Sequence, residues 1–357
     1  MTGETLEKHR RLTAVLDAER LDSLVLRRPG NVAWYSGGGR THIVATPDVG
    51  VADVVVRRDG VEVVTAVNEA PRLEVEELSG LDASFRVLPW DADREPALPS
   101  GPEVGSDSPL PGTRDVSRQI EAARRSLTGQ ELERYRRLGS DAARALTATC
   151  LRLTPETSEF EAAALMSSEL HARGADAIVL LVAGASRLPQ HRHPLPTDAQ
   201  LGRLTMLVAC ARRGGLIANL TRFVSFGPLR SEEQDAFDRL LHVDTAFNNA
   251  TVPGRTVGDV FAAGIAGYAA NGFGADEWRL HHQGGPTGYE GRDYVANAES
   301  AARVEPAQAF AWNPSVPSLK SEDTVVAGTA APEILTADAD WPAREVDGLR
   351  RPLVLER

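Results

Sequence analysis

Five short polar clusters hold the residues able to do chemistry in this 357-residue chain: Leu188–Pro194, Ala218–Arg222, His281–Tyr289, Trp312–Pro314 and Lys320–Thr324. Four of the eight histidines, His191, His193, His281 and His282, fall in two of these clusters. Imidazole changes charge near neutral pH, so paired histidine clusters suit general acid–base work. The common short signatures of other chemistries are missing. The chain has no GxxxxGK[ST] phosphate loop, no HExxH zinc helix and no GxSxG elbow, and its glycine runs do not fit GxGxxG.

These clusters sit at junctions between elements that the hydrophobic pattern predicts. Glu4–Glu19 has helical spacing with Leu12, Val15 and Leu16 on one side, followed by strands at 21–26, 51–56 and 61–64. Residues 93–113 are rich in proline, glycine and serine and read as a boundary, with one more strand at Val104–Asp107. Helices follow at Ser117–Leu127, Gly129–Leu153 and from Thr157 to Arg173. Strands are expected at 177–182, 204–209, 215–226, 309–312 and 324–327, with helices at 231–248 and 257–271. The charged, proline-containing tail after Asp338 is expected to pack loosely. Two domains of mixed α/β (α+β) class follow, 1–115 and 116–357.

Composition narrows the function. Thirty-nine basic against 50 acidic residues leave a net charge of −11, which argues against non-specific nucleic-acid binding. No apolar run approaches the ~20 residues of a membrane span, and the polar start of the chain carries no signal-peptide pattern. Cys150 and Cys210 are far apart and form no CxxC, so a reduced, cytoplasmic protein is expected.

The order of the clusters resembles the M24 "pita-bread" family of methionine and Xaa-Pro aminopeptidases, creatinase and their metal-free relatives. Asp22–Arg40 resembles the family's "NVxYLSG" stretch, and Ser126–Glu133 resembles the helix that opens its catalytic domain. Val182–Pro194 is similar to "vasG.ns..pHh.P", His281–Gly288 to "H..GHGiG", and Lys320–Val325 to "iEDtv". The resemblance implies a creatinase-type N-terminal domain followed by a pita-bread C-terminal domain.

It also implies departures. Metal-dependent members hold two ions with two Asp, one His and two Glu. On this sequence the first Asp falls near Val208–Cys210, where no carboxylate stands. The second falls on Asn219, the His on Gly285 and the first Glu on Asn313; only Glu322 is retained. No metal or other cofactor is therefore implied. His191 and His281 match family histidines near the substrate, and Arg292-Asp293 replace a following "HE" pair. In creatinase, which lacks metal, a histidine cleaves a C–N bond, and an arginine from the neighbouring protomer holds the substrate carboxylate. Arg40, after Ser36-Gly37-Gly38-Gly39, is the candidate for that arginine.

The reading that follows is a metal-independent, creatinase-like hydrolase acting on a small carboxylate-bearing molecule. His191, His281 and Glu322 would form its catalytic set. Arg40, Arg292, His193, His282, Tyr289, Asn219 and Asn313 would contact substrate, the two amides stabilising a developing oxyanion. Loss of anionic residues speaks against a guanidinium-type ligand. A homodimer would complete the site. The alternatives are a non-catalytic peptide- or protein-binding module and an Xaa-Pro-type metallo-aminopeptidase.

Overall fold

The computed structural model describes residues 1–357. By internal contacts the chain forms two units, Met1–Glu131 with Gly214–Leu216, and Leu132–Arg213 with Ile217–Arg357. No helix is long and apolar enough to cross a membrane.

In the first unit, α1 (Gly3–Glu19) starts at Thr2, whose hydroxyl accepts from the Thr5 amide, and it buries Leu12 and Leu16. Then come β1 (Ser23–Leu26), α2 (Pro29–Ser36), β2 (Ala52–Arg57), β3 (Gly60–Ala66), β4 (Ser84–Leu88), β5 (Val104–Ser106), β6 (Arg114–Asp115) and α3 (Ser117–Arg124). The six strands make one sheet in the order β4-β3-β2-β1-β5-β6. Val25, Val55 and Val64 from its three central strands pack with Leu98, Val104 and Leu110. Proline at the start of α2 presets its first turn, and Gly37 ends it at φ +81°, a conformation that glycine adopts without Cβ strain.

The second unit takes most of α4 (Gly129–Cys150), then α5 (Glu159–His171), β7 (Asp176–Ala183), β8 (Leu204–Arg213) and β9 (Leu216–Ser225). Ser158 and Glu161 form a reciprocal cap that sets where α5 begins. After α6 (Ser231–Ala250) and α7 (Val257–Ala270) come β10 (Gly284–Thr287), β11 (Ala309–Trp312), β12 (Ser315–Val316), β13 (Leu319–Lys320), β14 (Asp323–Val326) and β15 (Glu333–Ile334). Three short strands close the chain: β16 (Ala343–Val346), β17 (Leu349–Pro352) and β18 (Leu355–Glu356). One sheet runs β10-β11-β14-β15 and another β18-β9-β8-β7. Their core includes Met206, Val208, Phe223, Phe310 and Trp312, and Phe247 of α6 stacks on Trp312 with centroids 5.0 Å apart.

The tail does not pack loosely. β16 and β17 pair as a hairpin, and β18 adds in parallel to β9. Arg351 in β17 is fully buried, ion-paired to Asp244 of α6 and, at 2.9 Å, to Asp323 of β14. Arg351 therefore belongs to an internal ion network, while its charged neighbours Glu345, Asp347 and Arg350 stay exposed.

Candidate active site

The site grows from the retained carboxylate. Glu322 lies just before β14 and is buried. Lys320 Nζ stands 2.8 Å from its Oε2 and Arg292 Nη2 2.7 Å from its Oε1, while Thr221 of β9 donates its hydroxyl at 2.9 Å. Burial alone would raise the Glu322 pKa. Lys320 and Arg292 outweigh it and hold the carboxyl at about 2. The carboxylate thus carries two cationic neighbours supplied by the chain itself.

The positions expected around Glu322 do fall on adjoining segments. Asn219 in β9 donates its side-chain amide to Thr287 of β10 at 3.1 Å, and its backbone exchanges hydrogen bonds with the Thr324 hydroxyl of β14. Gly285 in β10 lies opposite Ala311, and Asn313 follows β11, which pairs with β14. The carboxamide oxygens of Asn219 and Asn313 are buried without a hydrogen-bond partner. The open atom of Asn219 is therefore an acceptor, which suits a substrate N–H. Cys210 of β8 also feels Glu322, Arg292 and Lys320, and burial pushes its thiol up to about 12, so it stays protonated.

A histidine cluster stands beside these groups, and its membership differs from the expected one. His193, not His191, meets His281, with their Nε2 atoms 2.9 Å apart. His282 stacks on His281 at 4.4 Å between centroids and lies 5.3 Å from His193. His191 is exposed and lines a small pocket with Leu188, Met206, Ser315 and Leu319. The physical reason is the conformation of the 184–197 loop. Buried Glu159 accepts from the Gly184 and Thr197 amides, both at 2.9 Å, and pairs with Arg187. Arg192 is drawn to Glu277. With the loop held at these points, the second histidine of the HRH triplet is the one that reaches His281. Beyond it, Gln283 pins the other histidine segment by donating to the carbonyls of Trp278 and His281.

All three rings are biased toward the neutral form. Burial, then Lys320 and the neighbouring imidazoles, lower His281 to about 2. Burial and Arg292 lower His282 to about 4, and His193 shifts in the same direction, chiefly by desolvation. A histidine whose folded pKa lies below its unfolded value of about 6.5 stabilises the fold above that pH and loses the contribution as pH falls. His281 alone should then remove about 2 kcal/mol of stability between pH 6.5 and 5. Urea unfolding at both pH values checks this: His281→Gln should flatten the drop, and an equally steep drop in that variant would show that other groups cause it.

The remaining expected residues are placed as follows. Tyr289 is buried just past β10, next to Gly288, whose carbonyl accepts from the Ile217 amide. Arg40 belongs to the first unit, where Glu77 accepts from its amide at 2.8 Å and from Nε at 3.0 Å. Lys320 joins the site although it is absent from the residues expected to act; its signal in the sequence is that it is one of only two lysines and lies two residues from Glu322.

Solved structures share the fold. The prolidase of Pyrococcus horikoshii OT3 superposes with a TM-score of 0.76 at 17% identity, covering 93% of this chain and 98% of that one. Dipeptidase PepE of Mycobacterium ulcerans gives 0.78 at 18%, covering 100% of both. The N-terminal domain of the FACT complex subunit SPT16 from chickpea gives 0.69 at 14%, covering 93% and 96%. Likeness at these identities speaks for the fold alone. No curated protein matches the chain significantly. The sequence pattern of one family does match, over residues 133–329, more than half of the chain, and that stretch carries every site residue described above except Arg40: the chain belongs to metallopeptidase family M24.

Proposed function

We propose that this M24 protein is a metal-independent, creatinase-like hydrolase that cleaves a C–N bond in a small carboxylate-bearing molecule by histidine acid–base chemistry. One observation carries the reading: Glu322 is neutralised by Lys320 and Arg292 beside a histidine pair. A pair of divalent ions needs a cage of deprotonated, electron-rich donors. The donor set around Glu322 does not fit one. Asn219 and Asn313 bring neutral amides and Cys210 a protonated thiol. At Gly285 the backbone has φ +153°, and a Cβ would lie 2.7 Å from the Tyr294 carbonyl oxygen, so a histidine there has no room.

In this reading His193 or His281 takes a proton from water and returns it to the leaving nitrogen. Arg292, whose Nε is buried without a partner, offers a donor to the substrate carboxylate. The acceptor oxygens of Asn219 and Asn313 receive substrate N–H groups. Turnover of small carboxylates with a hydrolysable C–N bond should be unchanged by a chelator. Loss of activity on chelation with recovery on Mn²⁺, or cleavage of an Xaa-Pro dipeptide under those conditions, would establish the metallo-aminopeptidase reading instead.

The protein is further proposed to be a cytoplasmic homodimer in which Arg40 of one protomer supplements its partner's site. Its bonds to Glu77 hold the guanidinium in place in advance. Arg40→Ala should raise KM several-fold and leave the dimer intact by light scattering; a monomer, or unchanged kinetics, would discard the idea. A second reading is a peptide- or protein-binding module without catalysis. Absence of turnover across the carboxylate panel, together with retention of a peptide ligand, would favour it.

A further inference from the structure

His193, His281 and His282 each offer a ring nitrogen, and these three atoms lie within 4.8 Å of one another. They come from two separated loops, and each loop is anchored by buried hydrogen bonds, through Glu159 on one side and Gln283 on the other. Two features of the cluster call for a ligand. The Nδ1 atom of His282 is buried and has no hydrogen-bond partner, and such orphaned groups are uncommon in folded proteins. The two Nε2 atoms of His193 and His281 converge to 2.9 Å on one point. In a tetrahedral site with metal–nitrogen bonds of about 2.0–2.1 Å, neighbouring nitrogens stand roughly 3.4 Å apart. The closest pair, at 2.9 Å, lies inside that distance and no spacing exceeds 4.8 Å, so ring rotations that change these separations by about 0.5–1.5 Å suffice.

We propose that His193, His281 and His282 together form a mononuclear site for a borderline transition-metal ion such as Zn²⁺ or Co²⁺. The site is separate from the carboxylate positions at Asn219, Gly285, Asn313 and Glu322. A purely nitrogen donor set selects zinc, cobalt, nickel or copper over magnesium, calcium or manganese. Three protein ligands leave a fourth position open to water or an anion. Lys320 acts electrostatically on all three rings and opposes a dication, so the affinity is moderate and a bound ion is readily exchanged. Because the ion would use the nitrogens that acid–base chemistry needs, filling this site inhibits the activity proposed above.

The test is titration of chelator-treated, full-length protein with Co²⁺, followed by visible absorption, which reads the site without any turnover. One equivalent should bind with the intense bands of a tetrahedral centre. His193→Ala and His282→Ala should each weaken binding at least a hundredfold, whereas Asn313→Ala should leave it unchanged. Lys320→Met, which removes the opposing charge, should tighten it about tenfold. A spectrum of octahedral, carboxylate-type Co²⁺, an affinity untouched by either histidine variant, or loss of binding in Asn313→Ala would overturn the assignment. Failure here leaves the metal-independent reading standing, and chelator-sensitive turnover would refute that reading while leaving the titration intact.

Discussion

His193→Ala should lower turnover by roughly 10²–10⁴-fold, the range lost when a positioned proton-transfer group is removed. The expectation follows from the 2.9 Å contact between His193 Nε2 and His281 Nε2. Two neutral imidazoles can share that contact only if one donates its Nε2–H and the other accepts, so each ring dictates the tautomer of its partner. Removing His193 therefore deletes one proton-transfer group and unsettles the other. His193 is exposed, so truncating it opens no core cavity, and the melting temperature should move by no more than a few degrees. His191→Ala is the paired control and should leave turnover unchanged. Because the rings are biased toward neutral, the acid limb of the rate profile should lie below the pH 6.5 of free histidine. A profile breaking at 6.5 to 7, or equal losses from His191 and His193, would contradict the assignment of His193.

Arg351→Met should destabilise the protein by about 3–5 kcal/mol, the cost of stranding a buried partner when half of an ion pair is removed. Arg351 is fully buried and pairs with both Asp244 and Asp323, which are themselves buried. Asp323 also accepts from Arg222 at 2.9 Å, so one change disturbs a network joining α6, β9, β14 and β17. Arg137→Ala, in an exposed i,i+4 pair with Glu133, should change stability by no more than about 0.5 kcal/mol. Urea unfolding of both variants makes the comparison. A loss under about 1 kcal/mol for Arg351→Met would mean that water or rearrangement compensates the two aspartates.

Much of the architecture was legible in the residue pattern because it rests on local periodicity. The α1 helix, the valine-rich strands β2 and β3, the paired strands β8 and β9, and the long helices α6 and α7 all announce themselves by apolar spacing. Ser158 and Glu161 marked the start of α5 in the same local way. β10 did not. Its Gly-Gly-Pro-Thr sequence has no strand preference and is extended only because it pairs with β11, register Gly284 to Trp312. The tail was misread for a related reason. Arginine in a charged stretch looks solvated until Asp244 and Asp323, over 100 and 28 residues away, are known to surround Arg351.

By itself the sequence determined the family resemblance and the mixed α/β class of the fold. On that resemblance one carboxylate, two amides and a glycine are expected where metal-dependent relatives carry ligands. Only the tertiary structure decided which groups meet. It set His193 in place of His191 against His281, since the loop carrying them is oriented by Glu159 and Arg192, neither of which touches the other histidine segment in sequence. It also placed Arg292 on the Glu322 oxygen opposite the one that nearby Lys320 holds. Charge pairing across some 30 residues depends on how β10 and β14 lie in one sheet, a long-range arrangement that no local spacing encodes.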